Sequence, residues 1–122
     1  MSVMVAVPES PEGVAALAAG AAEAQLLGTD LIVVNLSLAG LDTSVLPSDV
    51  EVTVLDRLGR TDRDPAEAVL DEIRDRDVQR LVIALRRRSP VGKALLGSVS
   101  QRLLLDAPVP VVAVKLRDGE DA

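Results

Sequence analysis

The chain contains no cysteine, no histidine and no aromatic residue. Without cysteine there are no disulfides, no thiolate metal ligands and no thiol nucleophile. Without histidine, imidazole acid–base chemistry and imidazole metal ligation are excluded as well, and no other metal site is evident. The missing aromatics constrain ligands too: an adenine or flavin ring has nothing to stack on, so a base must be held by aliphatic side chains and backbone groups. Nucleic acid is a poor match, because single strands favour aromatic platforms and a formal net charge of −6 repels a phosphate backbone. No uninterrupted apolar run is long enough to span a bilayer. Met1-Ser2-Val3-Met4 leads into strand-like residues without the charged start of a secretory signal. These absences predict a cytoplasmic protein with no membrane or nucleic-acid partner.

What is present is 122 residues with 48% hydrophobic content, enough for one domain around one core. Val3-Met4-Val5-Ala6-Val7 is a short continuous apolar run, as in a strand buried on both faces, and Pro8 ends it. Ser10 as cap and Pro11 at the first helical position open an Ala-rich helix that stops near Gly28. Leu31 to Leu36 is a second buried strand. The segment from Ser37 to Val50 shows no sustained helical period, which predicts a patch of sheet left uncovered. Val50 to Leu55 alternates as a half-exposed edge strand does. Asp64-Pro65-Ala66-Glu67 is a strong helix start, with Asp64 as cap and Glu67 closing a capping box. Ala66, Val69, Leu70 and Ile73 give that helix one apolar face, and it is expected to end around Asp77.

The most informative stretch runs from Leu81 to Val114. It reads as a strand over Arg80–Leu85, a basic glycine-containing loop, a helix and a last strand. Ser98 is placed to cap the helix, with Gln101 three residues on and Val99 and Leu103 on an apolar face. The first turn of a helix leaves backbone N–H groups unpaired and carries partial positive charge, so it suits a phosphate. Arg86, Arg87 and Arg88 stand just upstream, and guanidinium forks match phosphate oxygens. An alternative has Ser89-Pro90 opening a short helical turn that Gly97 ends. Strands alternating with helices predict an α/β fold on an open parallel five-stranded sheet, helices on both faces, with the helix between strands two and three shortened or lost.

The run RSPVGKALLGSVSQRLLLDAPVPVVAVK, with the N-terminal strand and Ala-rich helix, resembles the universal stress protein family. The resemblance implies a domain over residues 1–116, strand order 3-2-1-4-5, and an acidic tail over 117–122. The nucleotide-binding branch carries glycine, two residues, glycine, nine residues, then glycine with serine or threonine. By position the last element falls on Gly97-Ser98 and is intact, while the first two glycines fall on Ala84 and Arg87. The family's acidic residue after the first strand falls on Pro8.

The resemblance implies a stress-response protein that binds ATP, another adenine nucleotide or another small phosphate-bearing anion. Leu36 would meet the base; Ala84, Arg86, Arg87, Arg88, Ser89, Gly97, Ser98, Val99 and Ser100 would surround the phosphates. The alternative is a dimeric interaction module of the same fold that no longer binds nucleotide. Either way a homodimer is expected, paired through the uncharged last strand at Val111, Val112, Ala113 and Val114, with Val112 at its centre. Glu9, Asp56 and Lys115 near strand ends also allow a phospho-acceptor receiver reading. No paired acids or nucleophile elbow are positioned for catalysis.

Overall fold

The structure is a computed structural model that describes residues 1–8, 11–37, 40–56, 64–88, 93–95 and 98–116; for 11, 12, 86–88, 93–95 and 116 it describes the backbone alone. The order of elements is β1 (Ser2–Val7), α1 (Pro11–Leu27), β2 (Asp30–Asn35), β3 (Val52–Asp56), α2 (Pro65–Asp75), β4 (Val78–Arg88), β5 (Lys93–Leu95), α3 (Ser98–Asp106) and β6 (Val111–Leu116). The parallel sheet runs β3-β2-β1-β4-β6. That is the expected 3-2-1-4-5, with β6 as the fifth parallel strand.

Alternation along the strands sorts the core into two layers. Met4, Ala6, Ile32, Val34, Leu81 and Ile83 pack under α2 and α3, whereas Val3, Val5, Val7, Leu31, Val33 and Val82 pack under α1. The central strands are therefore apolar at every position, as parallel strands covered on both faces must be. α1 ends as its sequence predicts. Gly28 takes a left-handed φ of 65°. Thr29 N–H donates to the Ala24 carbonyl at 3.0 Å and Gly28 N–H to that of Gln25 at 3.2 Å, which satisfies two end carbonyls. α2 begins as predicted, with the Asp64 carboxylate accepting from Ala66 N–H at 3.1 Å. Glu67, however, turns to Arg102 of α3. Among the described residues between β2 and β3 there is no helix, as expected.

Three local expectations change. β4 extends from Val78 to Arg88, so Arg86, Arg87 and Arg88 continue a strand and do not form a loop. Lys93–Leu95 forms β5, antiparallel to that extension, with Arg86 opposite Leu95 and Arg88 opposite Lys93. A short helical turn reaching Gly97 is thereby ruled out. Finally, Ser98 is itself helical in α3 and so is not its cap, and the residue before it lies outside the described residues.

Candidate functional crevice

β1 pairs with β4 only from Ser2 to Val5, opposite Val78 to Val82. Further along β4, Arg86 is paired with Leu116 of β6 on one edge and with Leu95 of β5 on the other. Since β6 lies on the edge away from β1, β5 must take β1's edge beyond the point where the β1 ladder stops. Ile83, Ala84 and Leu85 are left between the two ladders. The chain leaves β1 in one direction and β4 in the other, so this gap lies at the topological switch point, where open parallel sheets bind ligands.

A cavity of about 230 Å³ opens there on the α2 and α3 side. Its floor is Ala6, Pro8, Ile83 and Ala84, at the ends of β1 and β4. Its walls are Leu36 after β2, Pro65 at the start of α2, and Val99, Ser100 and Leu103 on α3. Four residues expected from the sequence, Leu36, Ala84, Val99 and Ser100, thus meet in one crevice. Ser98 is exposed on the same first turn but does not line it. Ser89 and Gly97 lie outside the described residues, as does Glu9. Arg86, Arg87 and Arg88 lie on β4 above the crevice, described in backbone only. Ala84 borders the cavity, yet it belongs to the core layer beneath α1. Its methyl group packs in that layer, on the side of the sheet away from α2 and α3.

Pro65, Ala6, Ile83 and Leu103 are not among the site residues expected from the sequence, where Pro65 and Leu103 have only structural roles. Pro65 was the one within reach, because the helix of a crossover must begin where the preceding strand ends, at the same rim as the switch point. Its position is fixed by Arg102. The guanidinium reaches Asp64 at 2.8 Å and Glu67 at 2.5 Å on α2, and Asp106 at 3.3 Å on its own helix. Hydrogen bonds to Asp106 and Glu67, with the charges of Glu67 and Asp64, hold Arg102 above its ordinary basicity. It clamps one wall of the crevice to the other.

The rim between β1 and β2 is closed by backbone. Leu36 N–H donates to the Val7 carbonyl at 2.9 Å, so that donor is engaged within the sheet. Asn35, fully buried, donates to Asp56 at 2.8 Å and accepts from Ser37 N–H at 3.0 Å, pinning the ends of β2 and β3. Asp56 lies on the edge strand with β2 between it and β1. The receiver reading needs its acceptor strand beside β1, and the topology removes it. Among the described residues, no group of acidic side chains could hold a metal ion and no helix is long and apolar enough to cross a membrane.

Residues 50–115 match the universal stress protein family. A universal stress protein of Mycolicibacterium smegmatis is 38% identical over 93% of this chain and 96% of its own length. The structure of a universal stress protein from Archaeoglobus fulgidus superimposes with a TM-score of 0.71 at 26% identity, covering 94% of this chain and 98% of that one.

Proposed function

The chain belongs to the universal stress protein family, and from that premise we propose that it is a cytoplasmic stress-response protein binding an adenine nucleotide or another small phosphate-bearing anion at the switch-point crevice. The observation that carries this reading is the convergence of Leu36, Ala84, Val99 and Ser100 on one cavity beside the first turn of α3. At about 230 Å³ the cavity is smaller than most small-molecule pockets, which run about 300–1,000 Å³. It encloses one ring-sized apolar group. The phosphates extend over the rim, toward the N–H groups of Ser98, Val99 and Ser100 and toward the Arg86–Arg88 stretch.

Titration calorimetry with ATP, ADP, AMP, cyclic AMP and inorganic triphosphate tests this directly. Binding is expected to weaken at least about tenfold in Ser100→Leu, which fills the wall, and in Arg87→Ala/Arg88→Ala, which removes charge. Absence of any binding up to millimolar ligand, on the order of −4 kcal/mol, overturns it in favour of the interaction module. Two points favour that second reading: the Leu36 donor is engaged by Val7, and Pro8 occupies the position where the family resemblance implies an acid.

Under both readings the protein is a homodimer joined through β6. β6 pairs with β4 on one side and has no partner strand on the other among the described residues. Leu81 N–H donates to the Pro110 carbonyl at 3.0 Å. The parallel ladder then turns the N–H groups of Val112 and Val114 toward β4 and those of Val111, Ala113 and Lys115 toward the open edge. The centre of a dimer ladder therefore moves from Val112 to Ala113. Ala113→Pro is expected to give a folded monomer by sedimentation at micromolar concentration, where the wild type is a dimer. Val112→Pro instead breaks the bond to β4 and lowers stability. A monomeric wild type ends the dimer reading.

A further inference from the structure

A helix that is apolar all round is ordinarily buried all round. α1 departs from that rule. Beyond its first turn only Glu23 and Gln25 are polar. Ala16, Leu17, Ala21 and Ala24 pack on the sheet. On the opposite side Val14, Ala18, Ala22 and Leu26 follow one another at four-residue spacing, all exposed, with Val14 and Leu26 each 76% accessible. Beside this row, between α1 and the segment that replaces a β2–β3 helix, lies a cavity of about 500 Å³. Leu17, Ala18, Leu41 and Leu46 line it, and Val45, 76% exposed, stands at its edge.

Charge decides what can cover such a surface. Residues 1–56 hold eight acidic side chains and no lysine or arginine, whereas all 13 basic residues and the other 11 acids fall in 57–122. Asp42 lines the cavity, and its carboxylate is held below the usual range by the hydroxyl and N–H of Ser44. Asp49 is exposed on the same segment, accepting from Gln25 of α1 at 3.0 Å. A second copy of this face would bring like charge against like, and an anionic lipid surface would do the same.

We propose that this face docks a cationic amphipathic helix of another protein, whose apolar stripe lies along Val14, Ala18, Ala22 and Leu26 and sends one large side chain into the cavity. The partner's basic flank meets the exposed carboxylates of Asp42 and Asp49, whereas Glu23 of α1 is already engaged by Arg80 of β4 at 2.7 Å. Helix-in-groove recognition of this kind draws affinity from the apolar anchors and orientation from the charges.

The probe is a synthetic helix of about 18 residues with leucine at the i, i+3, i+4 and i+7 positions, lysine elsewhere and one tryptophan. Its fluorescence reports binding without interference, since the protein has no aromatic residue. Wild-type protein is expected to bind it and to ignore the same peptide with glutamate in place of lysine. Val14→Gln/Leu26→Gln leaves the net charge unchanged and is expected to weaken binding at least about tenfold; Val45→Gln, across the cavity, also weakens it. Both substitutions are at exposed positions, and far-UV circular dichroism verifies folding. Equal binding by wild type and Val14→Gln/Leu26→Gln reduces the attraction to net charge and overturns the proposal. Equal binding of the two peptides does so too, as does a wild-type oligomer that Val14→Gln/Leu26→Gln dissociates, which would make the occupant a second copy.

Discussion

Leu81→Ala lowers the free energy of unfolding by about 2–5 kcal/mol. Leu81 is fully buried in the layer beneath α2 and α3, on the central strand β4. It stands opposite Met4 on one edge and Val111 on the other, so backbone pairing on both sides prevents local collapse into the space left. The neighbours are aliphatic and already close-packed, with no flexible aromatic ring to swing inward. Against a total of about 5–15 kcal/mol for a domain, the loss is severe. Urea titration followed by far-UV circular dichroism measures it. Leu105→Ala, at a position 73% exposed, is the control and changes stability by no more than about 0.5 kcal/mol. A Leu81→Ala loss below about 1 kcal/mol would mean that this layer repacks freely.

Gly20→Val is the second large effect, in the opposite layer. A Cβ at Gly20 would lie 2.9 Å from Cβ of Val5 and 3.2 Å from Cδ1 of Leu31. The Val5 branch point belongs to the middle of β1, which is paired on both sides, so it cannot swing away. α1 must lift off the sheet instead, and overpacking of this kind costs about 1–3 kcal/mol. Valine, a poor helix former, recovers little of the roughly 1 kcal/mol that alanine would return by removing a mid-helix glycine. Gly20→Ala should therefore be clearly milder, and the pair separates clash from propensity. Equal stability of Gly20→Val and wild type in the same titration would show that α1 does not seat closely at this point.

Much of the architecture was legible because its elements carry local signals. Pro8 ends β1, Gly28 ends α1, and Asp64-Pro65 opens α2, each for a reason confined to a few residues. The absent helix between β2 and β3 was legible for the same reason, as a missing period. β5 was not. Three residues are too few for a pattern, and the arginines opposite them look like a solvated loop; the strand exists because β4 runs past β1 and leaves an unpaired edge. The outward apolar row on α1 could have been read from a helix with almost no polar residue, but an all-apolar helix announces burial, and only packing shows which side is left bare.

By itself the sequence determined the class of fold and the excluded chemistries, because periodicity, caps and missing side-chain types act locally. Val99 and Ser100 follow from the expected helix start, while Leu36 and Ala84 are positions that only the family resemblance implies. Tertiary structure decided which groups are already engaged. Leu36 N–H is occupied by Val7 because β1 and β2 run side by side to that point. Val112 serves the sheet while Ala113 faces the open edge, because a parallel ladder alternates its donors and the register begins at Leu81 and Pro110. A donor can be used once, and register, which no single segment encodes, allots it.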